Sequence, residues 1–293
     1  MPLDILSNHK ALLAQIDCST ILQKIQAFGS LDIKSISDRD LQDSILDVLT
    51  GGTRRATLTR HSVTIPAGAR LFRARSAEPG EHHIPFSCGK ISTDAWAPEA
   101  KYVKSAGRLH KAGEPLFYST LGHPLTTLNE IRLPQNEYAI VFEFVTQRPL
   151  TATSFGFTEM QPGYSSDELA KINLVEDFLY AEFSRDVPKG MEHRYRVSEH
   201  IAKDYFDLPG QDAWCFPSVQ DRQQWNVVFR PKQSTECLDL VGGMVYRRRD
   251  GADSIVAVCR LMDGKFIYER LGGPMHRDYF PNVSLPSAPP LHG

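Results

Sequence analysis

The chain has 293 residues, of which 41% are hydrophobic, 10% aromatic and 23% charged, a composition that excludes disordered and fibrous classes and is ample for a buried core. Thirty-three Lys plus Arg against 35 Asp plus Glu give a formal charge of -2, so no basic field exists to hold nucleic acid without sequence preference. Apolar runs are short, such as Ile255 to Cys259. No basic-then-apolar leader opens the chain, and the five cysteines form no Cys-x-x-Cys pair. The expectation is a cytoplasmic protein with no membrane span, no disulfide framework and no zinc knuckle.

Residues 10 to 28 space Leu12, Leu13, Ile16, Leu22, Ile25 and Phe28 as one amphipathic helix, with Gly29 as its stop. Ser37 and Asp40 resemble a capping box ahead of a second helix, which Gly51 and Gly52 end. These helices form an N-terminal unit, residues 1–55, too small to bury its own apolar stripes and therefore docked on the rest or on a partner. From Ala56 the period becomes two: a strand to Ile65, a turn at Pro66 to Gly68, and a strand from Arg70 to Arg75.

Residues 76–114 are rich in Gly, Pro, His and charge, and are long for a passive connection, so they are a candidate binding loop. A strand at Pro115 to Leu121 then runs into a short helix, Pro124 to Arg132, and Tyr138 to Val145 is the clearest strand of the chain. Two helices follow, at 166–184 and 195–207. Strands come next at 213–219, 225–229, 238–247, 254–261 and 265–271, with hairpin turns at Asp250-Gly251 and Asp263-Gly264. The expected division is 1–55, a main domain at 56–275, and a disordered tail at 276–293, Pro-rich from Pro281 on.

The common nucleotide, zinc-protease and serine-hydrolase motifs are missing, and the pair His82-His83 has no second pair at ligand spacing, so no metal site is expected. What stands out is Arg73 beside Arg75 in one strand. Alternation puts both guanidinium groups on one face, suited either to gripping phosphate oxygens or to a structural ion pair.

Further on come Gly107-Arg108, the strand ending in Tyr118-Ser119, the helix with Leu128, Asn129 and Glu130, and then Phe216, Pro217 and Ser218. In that order, after the strand arginine, these elements resemble the RES domain. The match runs over about residues 61–248, although Leu109 and His110 stand where the family usually has an aromatic residue and Asn. The resemblance implies an α+β fold with an ADP-ribosyltransferase-like split, mostly antiparallel sheet, here preceded by the N-terminal helical unit. It also implies NAD as substrate rather than cofactor, and nicotinamide release with water or phosphate as acceptor. Such proteins are often bacterial toxins paired with an antitoxin or immunity protein, and a homo-oligomer is a further expected partner.

Cleaving the nicotinamide-ribose bond passes through an oxocarbenium-like state and calls for a carboxylate near the ribose and cations on the phosphates. Glu130 is the candidate carboxylate; its alternative is an exposed helix residue paired with a neighbouring cation. Arg73 is the pyrophosphate clamp, Arg75 its rival and Arg108 a second cation. Tyr118 is placed to stack on nicotinamide or order ribose, or to be a core aromatic. Ser218 is placed to bond phosphate or amide, or to be a turn hydroxyl. The competing functions are ADP-ribosyl transfer to a macromolecule and a non-catalytic interaction module.

Overall fold

The computed structural model describes residues 3–59, 61–80, 88–156, 162–221 and 223–283. In chain order the elements begin with helices α1 (Leu3–Leu13), α2 (Cys18–Gly29) and α3 (Asp38–Leu49), then strands β1 (His61–Ile65), β2 (Arg70–Ser76) and β3 (Phe117–Leu121). Helix α4 (Pro124–Glu130), strands β4 (Tyr138–Thr146) and β5 (Leu150–Ser154), and helices α5 (Ser166–Ser184) and α6 (Tyr195–His200) follow. The remainder is β6 (Ala213–Pro217), β7 (Trp225–Phe229), α7 (Pro231–Cys237), β8 (Leu238–Arg249), β9 (Ala252–Met262), β10 (Lys265–Arg270) and α8 (Pro274–Tyr279). The fold is mixed α+β with mostly antiparallel strand pairing. No helix among the described residues is long and apolar enough to cross a membrane.

The chain divides into two compact units, one of residues 1–65, 99–116 and 150–228, the other of residues 66–98, 117–149 and 229–293. In the first, the helix expected over 10–28 is two helices. Ile16 is buried in the break, and Asp17 takes an extended N-cap conformation (φ -96°, ψ 150°) that restarts the helix. Helix α3 is capped by the Ser37 hydroxyl, which accepts from the Asp40 amide at 3.1 Å. Their stripes are covered within the unit: Leu13, Ile21, Leu41, Ile45 and Val48 are fully buried, and the Phe28 ring meets Phe178 of α5 edge-on at 5.1 Å. The helical segment thus docks on α5, which begins with a reciprocal Ser165/Glu168 capping box. Its strands run in the order β1-β5-β6-β7, with β5 and β6 parallel and the other pairs antiparallel.

The second unit is built on strands in the order β3-β2-β4-β8-β9-β10, every neighbour antiparallel. The hairpin turns joining β8, β9 and β10 have positive φ at Asp250 and Gly251 (51° and 77°) and at Asp263 and Gly264 (49° and 77°), as a tight turn matched to strand twist requires.

Register fixes which side chains share a face. Arg73 stands opposite Phe142, and Arg75 opposite Ile140; Phe72 stands opposite Thr120 and Glu143, and Ala74 opposite Val141. One face therefore carries Arg73, Arg75, Phe142 and Phe144, with the Phe117 ring 5.0 Å from Phe144 and Trp96 packed on both. The other carries Phe72, Val141, Met244, Tyr246 and Val258, closed over by Leu128 and by Phe280.

Phe280 corrects the expectation of a tail from 276. Residues 274–279 form α8, His276 is buried with one ring nitrogen 2.7 Å from the Val283 carbonyl, and Phe280 is buried in the core. The Pro-rich reading rested on residues beyond Pro281, and residues 284–293 lie outside the described residues.

Candidate functional site

Each sequence-selected residue can be placed within its own unit. Arg73 leaves β2 half-buried. One terminal nitrogen donates to the Tyr118 carbonyl at 3.0 Å, the guanidinium lies 5.3 Å from the Phe117 ring, and its Nε is buried without a hydrogen-bond partner. Burial, and secondarily the like charge of Arg75, pull its pKa down to about 10, because the cation has lost water without a counter-charge among the described residues. Arg75 lies on the same face but is engaged. It donates to the Asp94 carbonyl at 3.0 Å, and the Asp94 carboxylate is 3.9 Å away. Asp94 itself accepts from the amides of Lys90 and Ile91, so Arg75 pins the loop crossing that face.

Tyr118 alternates to the opposite face of the same sheet, which is also the face covered by α4, the helix carrying Glu130. That helix is set locally: Pro124 occupies its first turn and His123 Nδ1 accepts from the Leu125 amide at 3.2 Å. It ends at Arg132, whose φ of 50° is left-handed, with the Leu133 amide bonded back to the Leu128 carbonyl at 3.0 Å. Glu130 sits half-buried in the last turn. Within this unit the structure brings Arg73 and Arg75 together and sets the Tyr118 ring and α4 across the sheet from them.

Arg108 and Ser218 belong to the first unit. Arg108 donates to the carbonyls of Glu182 at 3.2 Å and Arg185 at 2.9 Å, where α5 leaves its last carbonyls without helical partners, and it faces the rings of Tyr195 and Phe216. Gly107 permits this turn: a Cβ there would fall 2.2 Å from the His110 ring. The Gly-Arg pair therefore closes a helix end. Ser218 is fully buried, and its hydroxyl accepts from the amides of Gln220 and Asp221, both at 3.2 Å, which is the turn role.

One residue that the sequence reading passed over has the marks of a site. Glu143 is the lone charge in the strand Tyr138 to Thr146, at an inward position, and that was its available signal. Its carboxylate is buried beside a cavity of about 680 Å³ under α4, paired with Arg70 at 2.9 Å. Burial raises its pKa, and Arg70 offsets only part of that.

Among the described residues no group of three or more His, Cys, Asp or Glu side chains is placed to hold a metal ion; His82 and His83 lie outside them. Comparison with family models, with curated proteins and with solved structures finds no match to this chain.

Proposed function

We propose that this protein is an NAD-consuming enzyme of RES type, releasing nicotinamide with water or phosphate as acceptor, as a toxin or effector held in check by a paired protein. The observation that supports it most is Arg73: a desolvated guanidinium with an N–H left without a partner among the described residues, next to a second guanidinium on the same strand face. An arriving phosphate would supply the missing counter-charge and acceptor together, and the planar fork suits its oxygens. Glu130 is the proposed carboxylate for the oxocarbenium-like state.

Arg108 and Ser218 support the reading less, because their described contacts close a helix end and a turn. A non-catalytic interaction module is the second reading. It is favoured by the placement of α4 and the Tyr118 ring on the face away from Arg73 and Arg75.

The deciding experiment incubates the purified full chain with NAD and follows free nicotinamide, alone, with inorganic phosphate, and with a candidate protein acceptor. Release that rises with phosphate assigns phosphorolysis, and release that is indifferent to it assigns hydrolysis. Label on the acceptor protein assigns transfer. No nicotinamide under any of the three conditions removes the enzyme reading and leaves the interaction module.

A further inference from the structure

The cavity beneath α4 rests on none of the residues invoked for NAD. At about 680 Å³ it has the size of a small-molecule site. Apolar and aromatic side chains, Phe72 and Met244 from the sheet, Leu125 from α4 and Phe280 from the segment after α8, share its walls with polar groups such as His123 and Asn282. Among these stands a nearly buried carboxylate, Glu143, with 4% of its side chain exposed, while its partner Arg70 is 51% exposed at the rim.

Arg70 meets one carboxylate oxygen at 2.9 Å from the rim, and a carboxylate has two oxygens and about four acceptor sites, so Glu143 keeps acceptor capacity toward the cavity. Buried carboxylates are ordinarily hydrogen-bonded or fully paired, and one left short of donors beside an open volume is a binding-site signal. The backbone supports this placement. The β4–β8 register shifts at Glu143/Phe144, opposite Gly242, where a Cβ would lie 2.9 Å from the Phe280 ring. The extra residue, Val241, lies in β8, so the bulge bends the partner strand opposite the carboxylate, and Gly242 lets Phe280 close over the sheet.

The second acid at the cavity, Asp253, already holds Arg248 through two contacts at 2.8 Å. Glu143 is paired only at the rim among the described residues, and an anionic head placed beside it would meet a like charge in a poorly screened setting.

We propose that this cavity binds a small molecule with a flat apolar body and a nitrogen head bearing N–H donors, an amidine, amine or amide, the body between Phe72 and Phe280 and the head on Glu143. The test uses three probes of one shape, 2-naphthamidine, 2-naphthamide and 2-naphthoate, titrated into the full chain by fluorescence. The amidine and the amide should bind, and the carboxylate should bind at least about tenfold more weakly, as expected when a donor meets a buried acceptor and an anion meets a like charge. Glu143→Gln should weaken the amidine by at least about tenfold, the loss expected for a charge-assisted contact. Ser254→Trp, an exposed position on the cavity's edge, should abolish binding of all three by filling the mouth, with an unchanged melting temperature.

Equal binding of amidine and carboxylate overturns the proposal, as does parental amidine binding in Ser254→Trp. The Ser254 variant decides the matter even where Glu143→Gln fails to fold. Because the readout is probe binding and not nicotinamide release, its failure leaves the NAD reading untouched.

Discussion

The two arginines singled out most sharply by sequence motifs differ in what their surroundings ask of them. In the first unit Arg108 is consumed by the fold, its donors on the last carbonyls of α5 and its plane against Tyr195 and Phe216. In the second, Arg73 is desolvated, donates to the Tyr118 carbonyl, and has a buried N–H with no acceptor among the described residues. The same side chain in a motif-like context closes a helix end in one place and is left with an unused buried N–H in the other, which is the state the proposed anion clamp starts from. The difference lies in whether backbone carbonyls are available to satisfy it.

The largest effect that tests this contrast comes from the first unit. If its helices were a removable appendage, a chain lacking residues 1–56 would keep its fold. Instead Leu13, Ile21, Leu41, Ile45, Val48 and Leu49 are fully buried, each stabilising by roughly 1.5–3 kcal/mol. Their loss compares with the entire net stability of a domain, about 5–15 kcal/mol. The truncated chain is expected to lose its cooperative thermal transition in calorimetry. A parental transition would show that the helices are an accessory layer.

Next in size is Glu130→Gln, which keeps shape and removes charge. Under the proposed chemistry nicotinamide release should fall by about two orders of magnitude or more, with NAD affinity retained. The melting temperature must match the parent for the comparison to hold. Release at the parental rate in a folded variant would remove Glu130 from the chemistry and give weight to the separation of α4 from the arginine face.

Arg73→Lys and Arg108→Lys sharpen the contrast directly. The first should weaken NAD binding by about 1–3 kcal/mol, since the planar fork is lost while the charge stays. Arg75→Lys should have a smaller effect, because its recorded contacts are to Asp94. Arg108→Lys should lower the melting temperature and leave NAD affinity alone. The opposite pattern, binding lost with Arg108 and stability lost with Arg73, would exchange the two roles.

How far the sequence carried these assignments follows from the range of the forces involved. Periodicity located α3, α5, β2, β4 and the β8-β9-β10 meander, because alternation and Asp-Gly turns are local signals. It joined α1 to α2, since the apolar stripe runs on through Ile16 while the backbone breaks at Asp17. It missed β5, five residues after Arg148-Pro149 whose place is set by pairing with β1 and β6, and α7, seven residues opened by Pro231.

The site was legible to the same degree. Alternation placed Arg73 and Arg75 together. That α4 lies on the other face follows from which side of the sheet Leu128 packs, which is tertiary information. Glu143 was visible as a charge in an apolar strand, but the cavity that gives it meaning is assembled from separate stretches of the chain, around residues 70–72, 122–125, 244–255 and 280–283.

The smallest effect concerns that carboxylate and tests whether the second unit carries uncompensated charge. Burial raises the Glu143 pKa above its ordinary value, so the folded chain holds a proton there at pH values where the unfolded chain has released it. Stability from this group is therefore fully present below the unfolded value. It is lost as pH rises from that value through the folded one, and the loss is constant above. Glu143→Gln carries no such titration. Relative to the parent its melting temperature should increase with pH across the window above the ordinary carboxylate value and then level off. Part of that gain at neutral pH is offset by loss of the Arg70 ion pair, which is small because Arg70 is half in water. Thermal melts of both proteins from pH 4 to 8 measure the difference. A difference that stays flat, or runs the other way, would mean that Arg70 compensates the charge fully and that the second unit is as internally satisfied at Glu143 as the first is at Arg108.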